Sequence, residues 1–272
     1  MDIKILKEWA DFAEKNARAA GKMVIELRRD SFVEMTYKKA GELVTSADLA
    51  SNQIICEAIE KSYPEHRILS EENIENKDFK ETFEGPLWII DPLDGTVNYS
   101  KNLSHFAISL AIAVDGIVWA GVVHSPDLDI TFVGIRGNGS YCNGKKLMVN
   151  RTNLLSEAVV GTGFPHDKSH LKMALARVNL LATHCRDIRR FAAPTLDICY
   201  VASGMLDAHT ESLFPWDVAA AGLVAREAGA RIGHVGRDLG SIPVELYGEG
   251  IVCATPGIFD DLHALLQMEQ DN

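Results

Sequence analysis

Apolar residues recur at steps of three and four from Ile3 through Leu6, Ala10, Ala13, Ala17, Ala20 and Val24 to Leu27, with charged residues between them. That spacing predicts one long amphipathic helix over the first thirty residues. A polar, glycine-containing stretch, Lys38-Lys39-Ala40-Gly41-Glu42, leads into Leu43-Val44-Thr45. A second helix is expected from Thr45 or Ser46, where a hydroxyl can cap it and Asp48 falls in the favourable first turn. Leu49, Ile55, Ala58 and Ile59 are expected to form its buried face, and Tyr63-Pro64 to end it.

The period then changes. Arg67-Ile68-Leu69-Ser70 and Leu87-Trp88-Ile89-Ile90 are short apolar runs, each ending in carboxylates. His105 to Val114 and Ile117 to His124 read as strands joined by Asp115-Gly116, a two-residue hairpin signal. Ile130 to Ile135 makes a third strand before the Gly137-Asn138-Gly139 turn, and Asn143-Gly144 marks another. A largely antiparallel sheet is expected here. Past residue 150, strands at Ala158 to Gly161, Asp187-Ile188 and Ile251 to Ala254 alternate with helices. The helices span Leu171 to Leu181, Thr195 to Val201, Asp217 to Ala228 (with Gly229 as C-terminal cap) and Phe259 to Met268. The expected fold is therefore an α+β half over residues 1–150 followed by an α/β half over 151–272. No flexible linker separates them, so the halves should share an interface.

Composition narrows the setting. With 47% hydrophobic and 24% charged residues, the chain reads as an ordinary folded protein. A net charge of −11 argues against a general nucleic-acid binder, because phosphate backbones favour a basic surface. It leaves a phosphorylated small ligand open, since a few cations reverse the sign of one acidic cleft. Cys56, Cys142, Cys185, Cys199 and Cys253 are scattered and never spaced as C-x-x-C, as expected of reduced thiols in a cytoplasmic protein. The longest apolar run, Ala107 to Val114, is far short of the roughly 20 residues that span a bilayer. The start, Met1-Asp2-Ile3-Lys4, lacks a signal-peptide stretch. No membrane or nucleic-acid partner is expected.

Three acidic clusters stand at the ends of apolar elements: Glu71-Glu72, Asp91 with Asp94, and Asp217 after Trp216. Carboxylates delivered to one edge repel one another unless divalent cations sit among them, and oxygen-only ligands suit magnesium or manganese. In Asp91-Pro92-Leu93-Asp94-Gly95-Thr96, Pro92 stiffens a turn that lets both aspartates share cations, with the Leu93 carbonyl aimed the same way. Gly95 permits close approach of a ligand, and the amides of Gly95 and Thr96 can cradle a phosphate if a helical turn begins there.

These residues resemble the inositol monophosphatase family. The resemblance rests on Glu71-Glu72, on Asp91 to Tyr99 and on Trp216-Asp217-Val218-Ala219-Ala220-Ala221-Gly222. It is extended by Leu43 to Asp48 and Leu196 to Gly204, and runs in order from about residue 10 to 265. It implies a layered α-β-α-β-α sandwich of the sugar-phosphatase type with a metal cleft between the halves. It further implies magnesium-dependent hydrolysis of a small phosphomonoester by a metal-activated water, a homodimer and lithium sensitivity.

Carried over by position, the resemblance implies that Glu71, Asp91 and the Leu93 carbonyl hold one metal. Asp91, Asp94 and Asp217 would hold a second, and a third, weaker ion would sit at Glu71. Thr96 with Asp48 would orient or deprotonate the water, with Glu71 as the other candidate base. Asp94, Gly95, Thr96, Ala193, Glu211 and Asp217 would contact substrate, Glu211 through its hydroxyls.

Other residues carry plainer expectations. Glu72 should point away from Glu71, as neighbours at a strand end do. Lys38, or Lys39 beside it, matches a basic residue facing the cleft. Trp216 is expected to be a packing anchor, and His105, His124, His166 and His209 to lie at the surface or core edge. One stretch departs from the family pattern: a Gly-Ser-Ala-like run is replaced by Ala192-Ala193-Pro194-Thr195. That change bears on the substrate rather than the metals. Inositol monophosphate is the leading expectation. Fructose-1,6-bisphosphatase, 3',5'-bisphosphate nucleotidase and histidinol-phosphatase activities remain alternatives, as does a non-catalytic metal- or phosphate-binding protein.

Overall fold

The computed structural model describes residues 1–29, 35–37, 43–73, 83–165, 167–236 and 242–267. Lys38, Lys39, His166 and Met268 lie outside them. The amphipathic pattern at the start becomes helix α1, Ile3–Arg29, which buries Leu6, Ala10, Ala13, Ala17, Ala20 and Val24. Strands β1 (Met35–Tyr37) and β2 (Leu43–Thr45) pair antiparallel and lead into α2, Ser46–Ser62. Thr45 caps this helix reciprocally: its hydroxyl accepts from the Ala47 N–H at 3.2 Å, and Asp48 Oδ2 accepts from the Thr45 N–H at 2.8 Å. The inward face of α2 differs from the hydrophobic expectation. Leu49 is 53% exposed, and Ala47, Asp48, Ser51, Ile55 and Ile59 point inward. The helix is rotated so that its polar residues reach partners on a neighbouring strand, which outweighs the burial of one leucine.

Seven strands form the first sheet in sequence order: β3 (Arg67–Ser70), β4 (Pro86–Asp94), β5 (Ala107–Val114), β6 (Ile117–Ser125), β7 (Ile130–Ile135), β8 (Gly139–Cys142) and β9 (Lys145–Lys146). β3 and β4 are parallel and every later pairing is antiparallel. Asp115 and Gly116 both take positive φ, 52° and 74°, as a two-residue hairpin turn requires. After β4 comes the single-turn helix α3, Thr96–Ser100.

The remaining elements are β10 (Val159–Thr162), α4 (Leu171–His184), β11 (Asp187–Arg189), α5 (Pro194–Ala202), β12 (Ala208–Glu211), α6 (Pro215–Glu227), β13 (Arg231–His234), β14 (Ile251–Ala254) and α7 (Pro256–Gln267). Their five strands form a second sheet in the order β11-β10-β12-β14-β13. β12 and β13 escape the hydrophobicity pattern because most of their residues are polar; His209 and Thr210 on β12 are nevertheless fully buried.

Five layers result. α1 and α2 pack on one face of the first sheet through Trp88, Ile90, Ile108 and Leu110. α5 and α6 fill the space between the two sheets, and α4 and α7 cover the far face of the second. This is the expected α-β-α-β-α sandwich. Helix α6 lies against the first sheet through Ala220 and Val224, at a separation only glycine permits at Gly121 of β6: a Cβ there would lie 2.7 Å from Ala220 Cα. That close seating fixes the start of α6 over β4. No described helix is long and apolar enough to cross a membrane.

Candidate active site

Residues i and i+3 of a regular strand point to opposite faces. Asp91 and Asp94 do not, because β4 is bulged between them. Asp91 pairs with Ser109 and Asp94 with Ala107, so three steps on β4 face two on β5. The extra residue brings both carboxylates to one side. Strand β4 thus runs through the motif, rather than ending before it in the turn that the sequence suggested. Its displaced Pro92 carbonyl accepts from Ser51 Oγ of α2 at 2.7 Å, and Asp91 Oδ1 accepts from the Leu93 N–H at 3.0 Å.

Asp217 arrives from α6, where it occupies the third helical position and its Oδ2 accepts from the Phe214 N–H at 2.8 Å. Trp216 beside it is buried and stacks on Phe214, the packing anchor expected of it. Each of Asp91, Asp94 and Asp217 offers an oxygen within 4.8 Å of the others, and all three are buried. Burial pushes the Asp91 carboxyl well above the usual carboxylate range, and the charges of Glu71, Asp94 and Asp217 push it further. Asp94 is pushed up to about 7, chiefly by burial, against the hydrogen bonds from Thr195 that lower it. Asp217 moves the same way through burial and then the charge of Asp94. A hard divalent cation is the group that relieves such a set. Glu71, half-buried in the short turn Glu71–Asn73 after β3, stands outside this trio of oxygens, yet its charge is felt by all three.

Thr96 Oγ1 lies 3.0 Å from Asp48 Oδ1 and 3.1 Å from the Leu93 carbonyl, both acceptors for its one proton. Asp48 is 2% exposed and is pushed up to about 6, mainly by burial. Gly95 sits at φ 86° as α3 begins, and a Cβ there would come within 2.8 Å of the His105 carbonyl. Asn98 and Tyr99 explain the tail of the motif. The Asn98 amide donates to the His105 and Phe191 carbonyls, both at 2.6 Å, and Tyr99 OH donates to Val24 O of α1 at 2.8 Å. The loop before α5 is thereby tied to the end of β4.

The chain matches the profile of the inositol monophosphatase family over residues 5–270. The chain belongs to that family. It is 40% identical to the Nus factor SuhB of Pasteurella multocida over 228 residues, 82% of this chain and 83% of that protein. Among solved structures it is similar to an IMPase from Thermotoga maritima (TM-score 0.83, 28% identity, 97% of this chain and 98% of that one). It is also similar to an inositol monophosphatase from Anabaena (TM-score 0.81, 29% identity, 97% and 96%).

Where this chain departs from the family's Gly-Ser-Ala-like run, the backbone keeps a glycine-like shape. Ala192 is held at φ 61°, a left-handed conformation that costs a residue with a Cβ about 1–2 kcal/mol. Ala192→Gly is therefore expected to raise stability by about 1 kcal/mol, less the entropy of the freer unfolded chain, seen as a rise in denaturation midpoint. Ala193, the residue before α5, is 0% exposed, so the contact with substrate expected of it stays a proposal that falls to its backbone. Thr195, which the sequence does not single out, instead donates its N–H to Asp94 Oδ2 at 2.9 Å and its hydroxyl to the same oxygen. Its signal is its place just after Pro194 at a helix start, where N–H groups lack helical partners. Two of the histidines, unlike half-buried His105, also differ from expectation. His124 is buried against Thr131 Oγ1, and His209 is wholly enclosed between Asp197 and Glu211.

Proposed function

We propose that the chain is a magnesium-dependent phosphatase of small polyol phosphates, inositol monophosphate first among them. The observation that carries this reading is the buried trio Asp91, Asp94 and Asp217, with the Thr96–Asp48 pair beside it. In the proposal, Glu71, Asp91 and the Leu93 carbonyl hold one cation, and Asp91, Asp94 and Asp217 a second. A third, weaker site involves Glu71. Bound cations lower the pKa of water, neutralise phosphate charge and stabilise a leaving alkoxide.

The chain's own groups do the rest. Thr96 Oγ1 orients the attacking water and passes a proton to Asp48 Oδ1, whose burial makes it a better base than an exposed aspartate. Glu71 is the other candidate base. The amides of Gly95 and Thr96 face the phosphate, and the Glu211 carboxylate accepts hydrogen bonds from substrate hydroxyls, with Asp94 and Asp217 alongside. A cytoplasmic homodimer is part of the same reading.

Phosphate release from inositol 1-phosphate, fructose 1,6-bisphosphate, histidinol phosphate and adenosine 3',5'-bisphosphate tests it. Inositol 1-phosphate is expected to be hydrolysed fastest and only with a divalent cation. Preference for another member moves the assignment within the family, and release from none of them rejects the phosphatase reading.

A second reading comes from the relatives named Nus factor SuhB. That name points to a transcription-related role, so the expectation of no nucleic-acid partner is not carried forward. Such a role can coexist with the phosphatase site.

A further inference from the structure

β12 carries a fully buried histidine with a carboxylate at each end of its ring. His209 Nδ1 lies 3.6 Å from Asp197 Oδ2 of α5, and His209 Nε2 lies 3.5 Å from Glu211 Oε2. Neither ring nitrogen has a hydrogen-bond partner among the described residues, and both are shut off from water. The ring is 0% exposed and the Asp197 side chain 2%, whereas Glu211 retains 14% of its surface. Asp94 and Asp217 both feel the charge of Glu211, which places it on the side of the acidic trio.

Glu211 is an acid in a region already crowded with acids, so something must hold it there. A buried carboxylate persists when it is paired. An imidazole presents a nitrogen at each end of its ring, so one histidine can face two carboxylates on opposite sides. The floor beneath Glu211 is shaped for it as well. A Cβ at Gly163 would lie 2.0–2.3 Å from the Glu211 carboxylate, so that carboxylate occupies the space a side chain would otherwise fill.

We propose that His209 is a positioning residue: clamped between Asp197 and Glu211, it holds the Glu211 carboxylate over Gly163 in the orientation that receives the substrate's hydroxyls. This rests on the phosphatase reading above and adds to it a determinant of substrate choice. His209 touches neither phosphate nor the acidic trio. Its effect falls on the polyol portion of the substrate, in KM rather than kcat.

The test compares inositol 1-phosphate, which carries hydroxyls for Glu211, with p-nitrophenyl phosphate, which carries none, using magnesium-loaded protein. In His209→Phe, the ratio of kcat/KM for the first over the second is expected to fall about tenfold, through KM for inositol 1-phosphate. His209→Gln, which keeps a donor near the Nε2 position, is expected to recover part of the ratio. Gly163→Ala leaves His209 in place and displaces the flexible end of Glu211 directly, so it reports whether the placement of that carboxylate sets the ratio, while His209→Gln carries the test of the histidine if His209→Phe folds poorly. The glycine variant should lower the ratio as well. If the two substrates decline together at an unchanged ratio, or the ratio survives in His209→Phe, the inference is overturned. Wild-type protein that hydrolyses neither substrate overturns inositol phosphate as the substrate, a different and distinguishable result.

Discussion

Asp91→Asn is expected to lower phosphatase kcat/KM by about 10³-fold or more while making the cation-free protein more stable. The two effects have one cause. Asp91 is buried at 2% exposure among Glu71, Asp94 and Asp217 and is pushed well above its ordinary range by burial and by their charges. With cations present, that concentration of charge is the binding site, and losing a shared ligand removes several kcal/mol of transition-state stabilisation. Without them it is a strain on the fold, and a neutral amide of nearly the same shape relieves it. Activity in saturating magnesium and the denaturation midpoint in chelator should therefore move in opposite directions. A variant that loses both has simply been damaged.

The second large effect is a pH dependence of stability that a divalent cation abolishes. Asp48 is pushed up to about 6 and Asp94 to about 7, and Asp91 and Asp217 move upward too. Each of these groups holds its proton more tightly folded than unfolded. The stabilisation is fully present below the ordinary carboxylate value of 3.8 and is lost progressively as pH rises through 6 and 7. Each tenfold gain in proton affinity on folding is worth about 1.4 kcal/mol. The loss is therefore on the order of several kcal/mol, or roughly 10 °C in Tm for a chain of this length. Exposed Asp167, Asp187 and Asp260 shift downward, so their contribution changes only below pH 4, outside this window. In chelator, Tm at pH 5 should exceed Tm at pH 8. In millimolar magnesium the difference should shrink, because binding to the ionised site stabilises the folded state by about 2.7 kcal/mol at a hundred times Kd. Equal curves with and without magnesium would show that no cation binds there.

The frame of the molecule is legible in the sequence because periodicity reports burial against one face. α1 follows directly from it, and the hairpin at Asp115-Gly116 follows from its turn residues. What is not legible depends on partners distant in the chain. The bulge that aligns Asp91 with Asp94 is a property of the register between β4 and β5, and no local signal carries it. Hydrophobicity places Leu49 inward, yet α2 turns Asp48 and Ser51 inward to reach Thr96 and the Pro92 carbonyl. β12 escapes the pattern for the same reason: its buried residues include a histidine and a threonine whose environment is supplied by other elements. Thr195 hides inside a stretch that reads as a loss of family features, although it holds Asp94 from 101 residues away. The acidic residues themselves are recognisable, because few folds leave several carboxylates at the ends of buried elements without a cation to join them.

Whether the acidic trio acts on phosphate esters through bound cations is tested most directly by measuring cation and catalysis together. Release of inorganic phosphate from inositol 1-phosphate should be followed as magnesium is titrated from chelator to millimolar concentrations, for the wild-type protein and for Asp91→Asn in parallel. No release is expected in chelator. The wild type should show a saturable rise with magnesium, and the variant a rate about 10³-fold lower at every concentration. Release that persists in chelator, or an Asp91→Asn variant as active as the wild type, would contradict a cation-dependent phosphatase site.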